Sequence, residues 1–346
     1  MSRPTQTREY RLPKRVGIHN LVIQTSPIPS LRATQVLVKV YAVSLQYRDL
    51  LIAKDQYPVG IKENVVPGSD FGGEIIALGE DVAGWKIGDR VCANFALDHV
   101  FGDPTAETKK SHLGAPIDGV LTEYKILPAH SLVRIPDHLS YEEASTLPCA
   151  ALTAYSALLG PTPLKGGDTV LILGTGGVSI FGLQFAVASG ATVIVTSSSD
   201  EKLQVATRLG AKYTINYNTN PDWDQEVLEL TNGQGVDHVL EVGGAGSINK
   251  SLACARYGGC VHNIGVVAGT GDVSTVPSIV LLKALTLRGI TVGSRTQFEE
   301  MNRLIIATSL RPVIDKVFAF EELQEACRYL ESQKHMGKVV VKVCKD

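Results

Sequence analysis

The chain has 346 residues, of which 44% are hydrophobic and 20% charged, with a formal net charge of −2. That length exceeds one ordinary core and predicts two domains, and the composition is that of a folded globular protein. Lysine and arginine form no cluster, which excludes nucleic-acid binding by backbone neutralisation.

Over residues 1–145, short β-like runs (LVIQTS, QVLVKVYAVSL, GGEIIALG, DRVCANF, LTEYKIL, SLVRIP) alternate with Gly/Asp turns such as GWKIGDRV. Strands at this spacing predict a compact, antiparallel, barrel-like domain. Residues 98–118 are polar and irregular and read as a long surface loop. Ser140 and Glu143 form a Ser-x-x-Glu start to a helical run through LPCAALTAY. Strands and helices then alternate: TVLIL, a helix to Ala188, TVIVTS, helix 200–209, YTIN, helix 222–231, VDHVLEV, helix 246–256, GCVHNIG and LTLRGITV. This alternation predicts βαβ units in a doubly wound parallel sheet, so the fold class is α/β. From Gln297 the pattern returns to helix, PVIDKVFAF, helix and GKVVVKV, and the last strand is assigned to the first domain. The expected domains are 1–145 with 293–346, and 146–292.

Residues 169–199 carry no charge, but a glycine turn divides them into strand, helix and strand. A membrane span would be apolar throughout, so no membrane insertion is expected. Six cysteines without a CxxC pair, and an opening MSRPTQTREY without an apolar signal run, predict free thiols in a reducing, cytoplasmic setting.

After TVLIL comes GTGGVS: Gly174, Thr175, Gly176, Gly177, Val178 and Ser179. Gly174 permits the tight turn, Gly176 lets the backbone approach a pyrophosphate, and Ser179 is small where helix and strand pack. The helix start offers free N–H groups to phosphate. The following strand ends at Ser197, where an NAD site usually carries an acid for the ribose hydroxyls. Ser197, Ser198 and Lys202 instead suit a 2′-phosphate, which predicts NADP(H), with Tyr217 beside the same group. Ser198-x-x-Glu201 also reads as a helix-capping box.

With GSDFGGEI, ALGEDVAGWKIGDRV and LPCAALTAY, these residues resemble the medium-chain dehydrogenase/reductase superfamily over essentially the whole chain. The likeness is to its zinc-free, quinone-oxidoreductase-like branch. It implies a GroES-like catalytic domain built from both chain ends, an inserted Rossmann domain, hydride transfer in the cleft between them, and a homodimer. Where zinc members place a cysteine this chain has Gln46, and where they place the His-Glu pair it has Ser69 and Asp70. Cys149 alone remains at a third ligand position, too few for catalytic zinc, and it reads as a small core residue. The four cysteines of a structural zinc lobe are missing between Cys92 and Cys149. His99, His112, His130 and His138 show no ligand spacing, so no metal is assigned.

The resemblance further implies cofactor contacts at Thr153, Gly243, Gly244, Ile264, Gly265 and Lys338. Without zinc, hydride addition to an electron-poor C=C is easier than carbonyl reduction, because charge spreads to an oxygen that hydrogen-bond donors can hold. The expected substrate is thus a small electrophilic carbonyl compound such as an enone or quinone. Gln46, Tyr47, Arg48 and Ser69 are the candidate donors, Tyr47 foremost. Two alternatives stay open: alcohol–carbonyl exchange without zinc, and an NADPH-binding protein with little turnover.

Overall fold

The structure, a computed structural model, describes residues 3–344 and divides into two compact units. The first contains the chain up to Leu152 and from Gly293 onward; the second is Thr153–Val292. Residues 146–152, expected with the second domain, thus fall in the first unit, where the Cys149 N–H donates to Asp70.

The chain starts with β1 (Gln6–Arg11) and β2 (Val22–Pro27), an antiparallel pair. Then follow β3 (Gln35–Ser44), α1 (Tyr47–Ala53), β4 (Asp70–Leu78), β5 (Arg90–Ala93), the short α2 (Ala106–Lys109), β6 (Tyr124–Pro128) and β7 (Leu132–Arg134). The valine-rich β3 is almost wholly buried and is the centre of this unit, pairing antiparallel with β4 and β6. The 98–118 segment is not a free surface loop. It contains α2, and Leu113 and Ala115 are fully buried, because apolar side chains in a polar stretch still seek the core.

The Ser140 cap forms as expected: its Oγ accepts the Glu143 N–H at 3.1 Å while Glu143 Oε2 accepts the Ser140 N–H at 2.8 Å. The helical run behind it is not continuous. α3 (Tyr141–Ser145) passes into a π-helical turn over Leu147–Ala151 before α4 (Leu152–Leu159). Such turns shift the hydrogen-bond ladder by one residue and re-aim backbone groups.

The second unit continues with β8 (Thr169–Leu173), α5 (Gly177–Ala188), β9 (Thr192–Ser197), α6 (Asp200–Arg208), β10 (Tyr213–Asn216), α7 (Trp223–Leu230), β11 (Val236–Glu241), α8 (Ile248–Cys254), β12 (Ala255–Asn263), α9 (Val276–Leu282) and β13 (Thr286–Gly289). The six strands are all parallel, in the order β10-β9-β8-β11-β12-β13. The order reverses between β8 and β11, which is the switch point where open α/β sheets bind ligands at their strand C-termini. The parallel α/β expectation is met in the second unit, and the first has the largely antiparallel sheet expected of it.

In the first unit again, α10 (Arg295–Thr308), β14 (Ile314–Ala319), α11 (Leu323–Glu331) and β15 (Lys338–Lys342) complete the chain. β15 pairs antiparallel with β3, Val340 opposite Ser44, and β14 pairs parallel with β15. All six cysteines are free, and no helix among the described residues is long and apolar enough to cross a membrane.

Candidate functional site

Three strand ends meet in the first unit. Ser44, the last residue of β3, lies opposite Asp70 of β4 and Val340 of β15, so Gln46, Asp70 and Lys338 come together although they are far apart in sequence. Asp70 is fully buried and is the hub. Its Oδ2 accepts from Gln46 Nε2 at 2.6 Å and from the Cys149 N–H at 3.0 Å, and its Oδ1 accepts from Ser69 Oγ at 2.5 Å. Lys338 donates its Nζ to the Leu45 carbonyl at 2.6 Å. Burial pushes the Asp70 carboxyl up to about 6, against the opposing pull of the Lys338 ammonium and the Ser69 hydrogen bond. Burial likewise lowers the Lys338 ammonium and raises the Cys149 thiol, the latter helped by the Asp70 charge.

This cluster does not suit a catalytic zinc. Such a site needs three deprotonated or lone-pair donors facing one point, with a fourth position open. Here both Asp70 oxygens are engaged and the Gln46 amide is turned to donate to one of them, which leaves Cys149 without two companion donors free to face a metal. Among the described residues no group of three or more His, Cys, Asp or Glu side chains is placed to hold a metal ion. The histidines are spent locally: His99 on the Gly102 carbonyl, His130 on Asp98 and His138 on the Leu310 carbonyl, while burial lowers His112 to about 4.

The four expected donors fare differently. Tyr47 opens α1 with 38% of its surface exposed. Gln46 and Ser69 are buried and turned to Asp70, so they shape the cluster. Arg48 is buried too, its Nη1 donating to the Leu113 carbonyl at 3.0 Å.

In the second unit the glycine turn sits at the C-terminal end of β8. Gly174 has φ 72°, a left-handed value suited to glycine. Gly176 precedes α5 without a side-chain cap, and a Cβ built on it would meet nothing within 4 Å. An uncapped helix start facing open space suits the phosphates of a dinucleotide. Ser179 Oγ donates to the Leu173 carbonyl at 2.7 Å and so satisfies itself in the turn. The tight helix–sheet approach lies one turn on, at Gly182, where an added Cβ would come within 2.3 Å of Leu240 Cδ2 on β11. The fingerprint alone did not point to Gly182.

Ser197 ends β9, buried, with its Oγ 3.4 Å from Thr175 Oγ1. Ser198 is exposed beside it, and Tyr217 donates its N–H to the Ser197 carbonyl at 3.1 Å. The expected Ser198–Glu201 capping box does not form. Ser199 caps α6 instead, its Oγ accepting the Lys202 N–H, with its own backbone still extended one residue before the helix starts at Asp200.

A further residue escaped the sequence reading. Glu241, fully buried at the end of β11, accepts the N–H groups of Gly243 and Gly244 at 2.7 and 2.9 Å and the Ser247 hydroxyl at 2.7 Å. Its other oxygen takes the Ser251 hydroxyl, and its carbonyl takes the N–H groups of Ile264 and Gly265. The carboxylate therefore shapes the turn that ends β11, and the main-chain carbonyl of the same residue holds the one that ends β12. The acid in VLEVGG was the available signal. Thr153 is buried on α4, and Lys338 belongs to the first unit's cluster.

Residues 32–137 match the family described as alcohol dehydrogenase GroES-like domain, and residues 177–307 the one described as zinc-binding dehydrogenase. A zinc-type alcohol dehydrogenase-like protein of Schizosaccharomyces pombe is 49% identical over 333 residues, covering 94% of this chain and 96% of its own. An acryloyl-coenzyme A reductase of Metallosphaera sedula is 30% identical over 320 residues, with 90% and 93% covered. Among solved structures, a Sinorhizobium meliloti protein assigned by name to the alcohol dehydrogenases superimposes with a TM-score of 0.91 at 39% identity, covering 99% of this chain and all of its own.

Proposed function

The chain belongs to the medium-chain dehydrogenase/reductase family of nicotinamide-dependent oxidoreductases, and we propose that it is an NADPH-dependent reductase of activated C=C bonds in conjugated carbonyl compounds. One observation carries this reading: the residues where zinc members place their ligands are bonded to one another around Asp70. With that position closed to a Lewis acid, the chemistry favoured is the one whose negative charge delocalises away from the reacting carbon. A reduced nicotinamide held at the Gly174–Val178 turn would supply the hydride that the far alkene carbon needs, and the neighbouring carbon would take its proton from solvent. Tyr47, half exposed at the start of α1, donates a hydrogen bond to the substrate oxygen as charge builds there. Gln46, Ser69 and Lys338 hold the buried frame from which α1 begins. The acryloyl-coenzyme A reductase among the relatives supports this reaction class.

The test is NADPH oxidation with pent-3-en-2-one and with pentan-2-one. Turnover of the enone alone is expected. Turnover of the saturated ketone at an equal rate would favour alcohol–carbonyl exchange, the second reading, which the names of the alcohol dehydrogenase relatives support.

We assign the 2′-phosphate of NADPH to Ser198 and Lys202 with Tyr217 alongside, because Ser197 ends β9 where an acid would repel that group. Gly174–Val178 carry the pyrophosphate, and Thr153, Gly243–Gly244 and Ile264–Gly265 flank the rest of the cofactor. Ser197→Asp is expected to cut kcat/KM for NADPH about 100-fold relative to NADH, through like-charge contact. A wild type that prefers NADH, or a variant with an unchanged ratio, refutes the assignment.

The unpaired edge of β13, with Leu287 and the neighbouring Leu281 and Leu282 exposed, supports a homodimer formed by strand pairing. Light scattering should give twice the chain mass, and a single-chain mass rejects it.

A further inference from the structure

Arg48 is a buried guanidinium with more donors than partners. Only 8% of the residue is exposed, yet Nε and Nη2 have no hydrogen-bond partner among the described residues. Nη1 alone is used, on the Leu113 carbonyl at 3.0 Å. Asp49 is the one acid paired with it there, at 3.7 Å from Nη1, beyond hydrogen-bond reach. Burial moreover pushes the Asp49 carboxyl up, toward its neutral form.

The faces of the guanidinium are occupied, because its carbon lies 4.9 Å from the ring centres of both Tyr57 and Phe95. Aromatic faces attract the cation but cannot accept its N–H groups, which point outward in its own plane. The box thus holds a cation whose Nε and Nη2 lack a hydrogen-bond acceptor, with Asp49 near but out of reach. Buried donors left unpaired are costly and rarely persist. His112 packs on the same Phe95 ring at 4.7 Å between centres, and its Nδ1 is also unpartnered. Burial and the Arg48 charge keep it neutral, so it adds no competing charge.

Tyr57 is the outer wall of the box. It is half-buried on the segment between α1 and β4, which has neither helix nor strand and has left-handed backbone at Asp55 and Asn64. Phe95, in contrast, is buried just after β5.

We propose that Arg48 is the carboxylate-binding residue of the substrate site, and that the natural substrate is an enone or enoate bearing a free carboxylate. The planar guanidinium edge matches a carboxylate in two-point geometry, with Nε and Nη2 as the donors. Tyr47 and Arg48 are consecutive on α1, about 100° apart around its axis, so the carbonyl and carboxylate ends of the substrate are held by diverging side chains. The substrate class rests on the reductase reading above; the anion site does not.

The experiment is calorimetric titration of the full chain, with NADP+ present and absent, using 4-oxopentanoate and its methyl ester. The acid should bind at least about 30-fold more tightly than the ester, the loss typical of leaving a buried charged partner unpaired. Arg48→Met should abolish that ratio. Arg48→Lys, which keeps the charge but loses the planar fork, should retain part of it and guards against a folding artefact. Equal affinity for acid and ester, an acid preference that survives Arg48→Met, or no binding of either at millimolar concentration would overturn the proposal. NADPH oxidation with 4-oxopent-2-enoate separates the two readings. Acid-selective binding without turnover sinks the reductase assignment and leaves the anion site standing.

Discussion

Asp70→Ala is expected to lower the unfolding free energy by about 3–5 kcal/mol, the cost of removing one partner from a buried charged network. The substitution leaves Gln46 Nε2, Ser69 Oγ and the Cys149 N–H without an acceptor and takes the compensating charge from Lys338. Asp70→Asn keeps an acceptor of the same shape and is expected to cost far less at neutral pH. The pair also exposes the pH linkage. The folded carboxyl titrates at about 6, above its ordinary 3.8, so the folded state holds this proton more tightly than the unfolded chain. That contribution is fully present below about pH 4 and is lost as pH rises through 6. Relative to Asp70→Asn, the wild type should therefore lose about 2 kcal/mol between pH 4 and pH 7. Denaturant unfolding at a series of pH values measures both effects. An alanine variant within about 1 kcal/mol of wild type, or a flat difference against asparagine, would show that Asp70 is not the hub.

Gly176→Val is expected to weaken nucleotide binding by more than about 100-fold while leaving stability within about 0.5 kcal/mol. The site has room for a side chain, with nothing within 4 Å of an added Cβ, and its φ of −75° suits any residue. What valine occupies is the space through which a pyrophosphate approaches the α5 N-terminus. Gly182→Val gives the opposite pattern. Its Cβ would collide with Leu240 between α5 and β11, and overpacking there should cost about 1–3 kcal/mol. Thermal unfolding with and without NADPH reads both variants. Undiminished NADPH stabilisation of Gly176→Val would mean that the phosphates lie elsewhere.

These cases mark how much of the molecule was legible in advance. The second unit's sheet and its glycine turn were readable because they depend on neighbours in sequence: a buried run, a left-handed glycine and a helix start within a dozen residues. Errors arose where tertiary contacts outweighed local pattern. Ser199, not Ser198, caps α6: the strand ends at Ser197 as read, but of the two serines that follow it is Ser199 whose hydroxyl meets the helix's free N–H. The polar 98–118 stretch is tied down because Leu113 is core and its carbonyl takes Arg48.

By itself the sequence determined the α/β class, the strand–turn–helix that suits a dinucleotide, and the loss of metal-binding side chains at Gln46 and Ser69. Only the tertiary structure decided what those residues do instead. Gln46, Asp70, Cys149 and Lys338 are joined by strand register and a π-helical turn, and none of that pairing has a local signature. The same holds for Glu241, whose acid reads as surface until its four partners are seen, and for Arg48, whose unpaired N–H groups are buried only because Tyr57 and Phe95 enclose it. Burial sets the cost of every unpaired donor and every charge, and burial is a property of the folded chain.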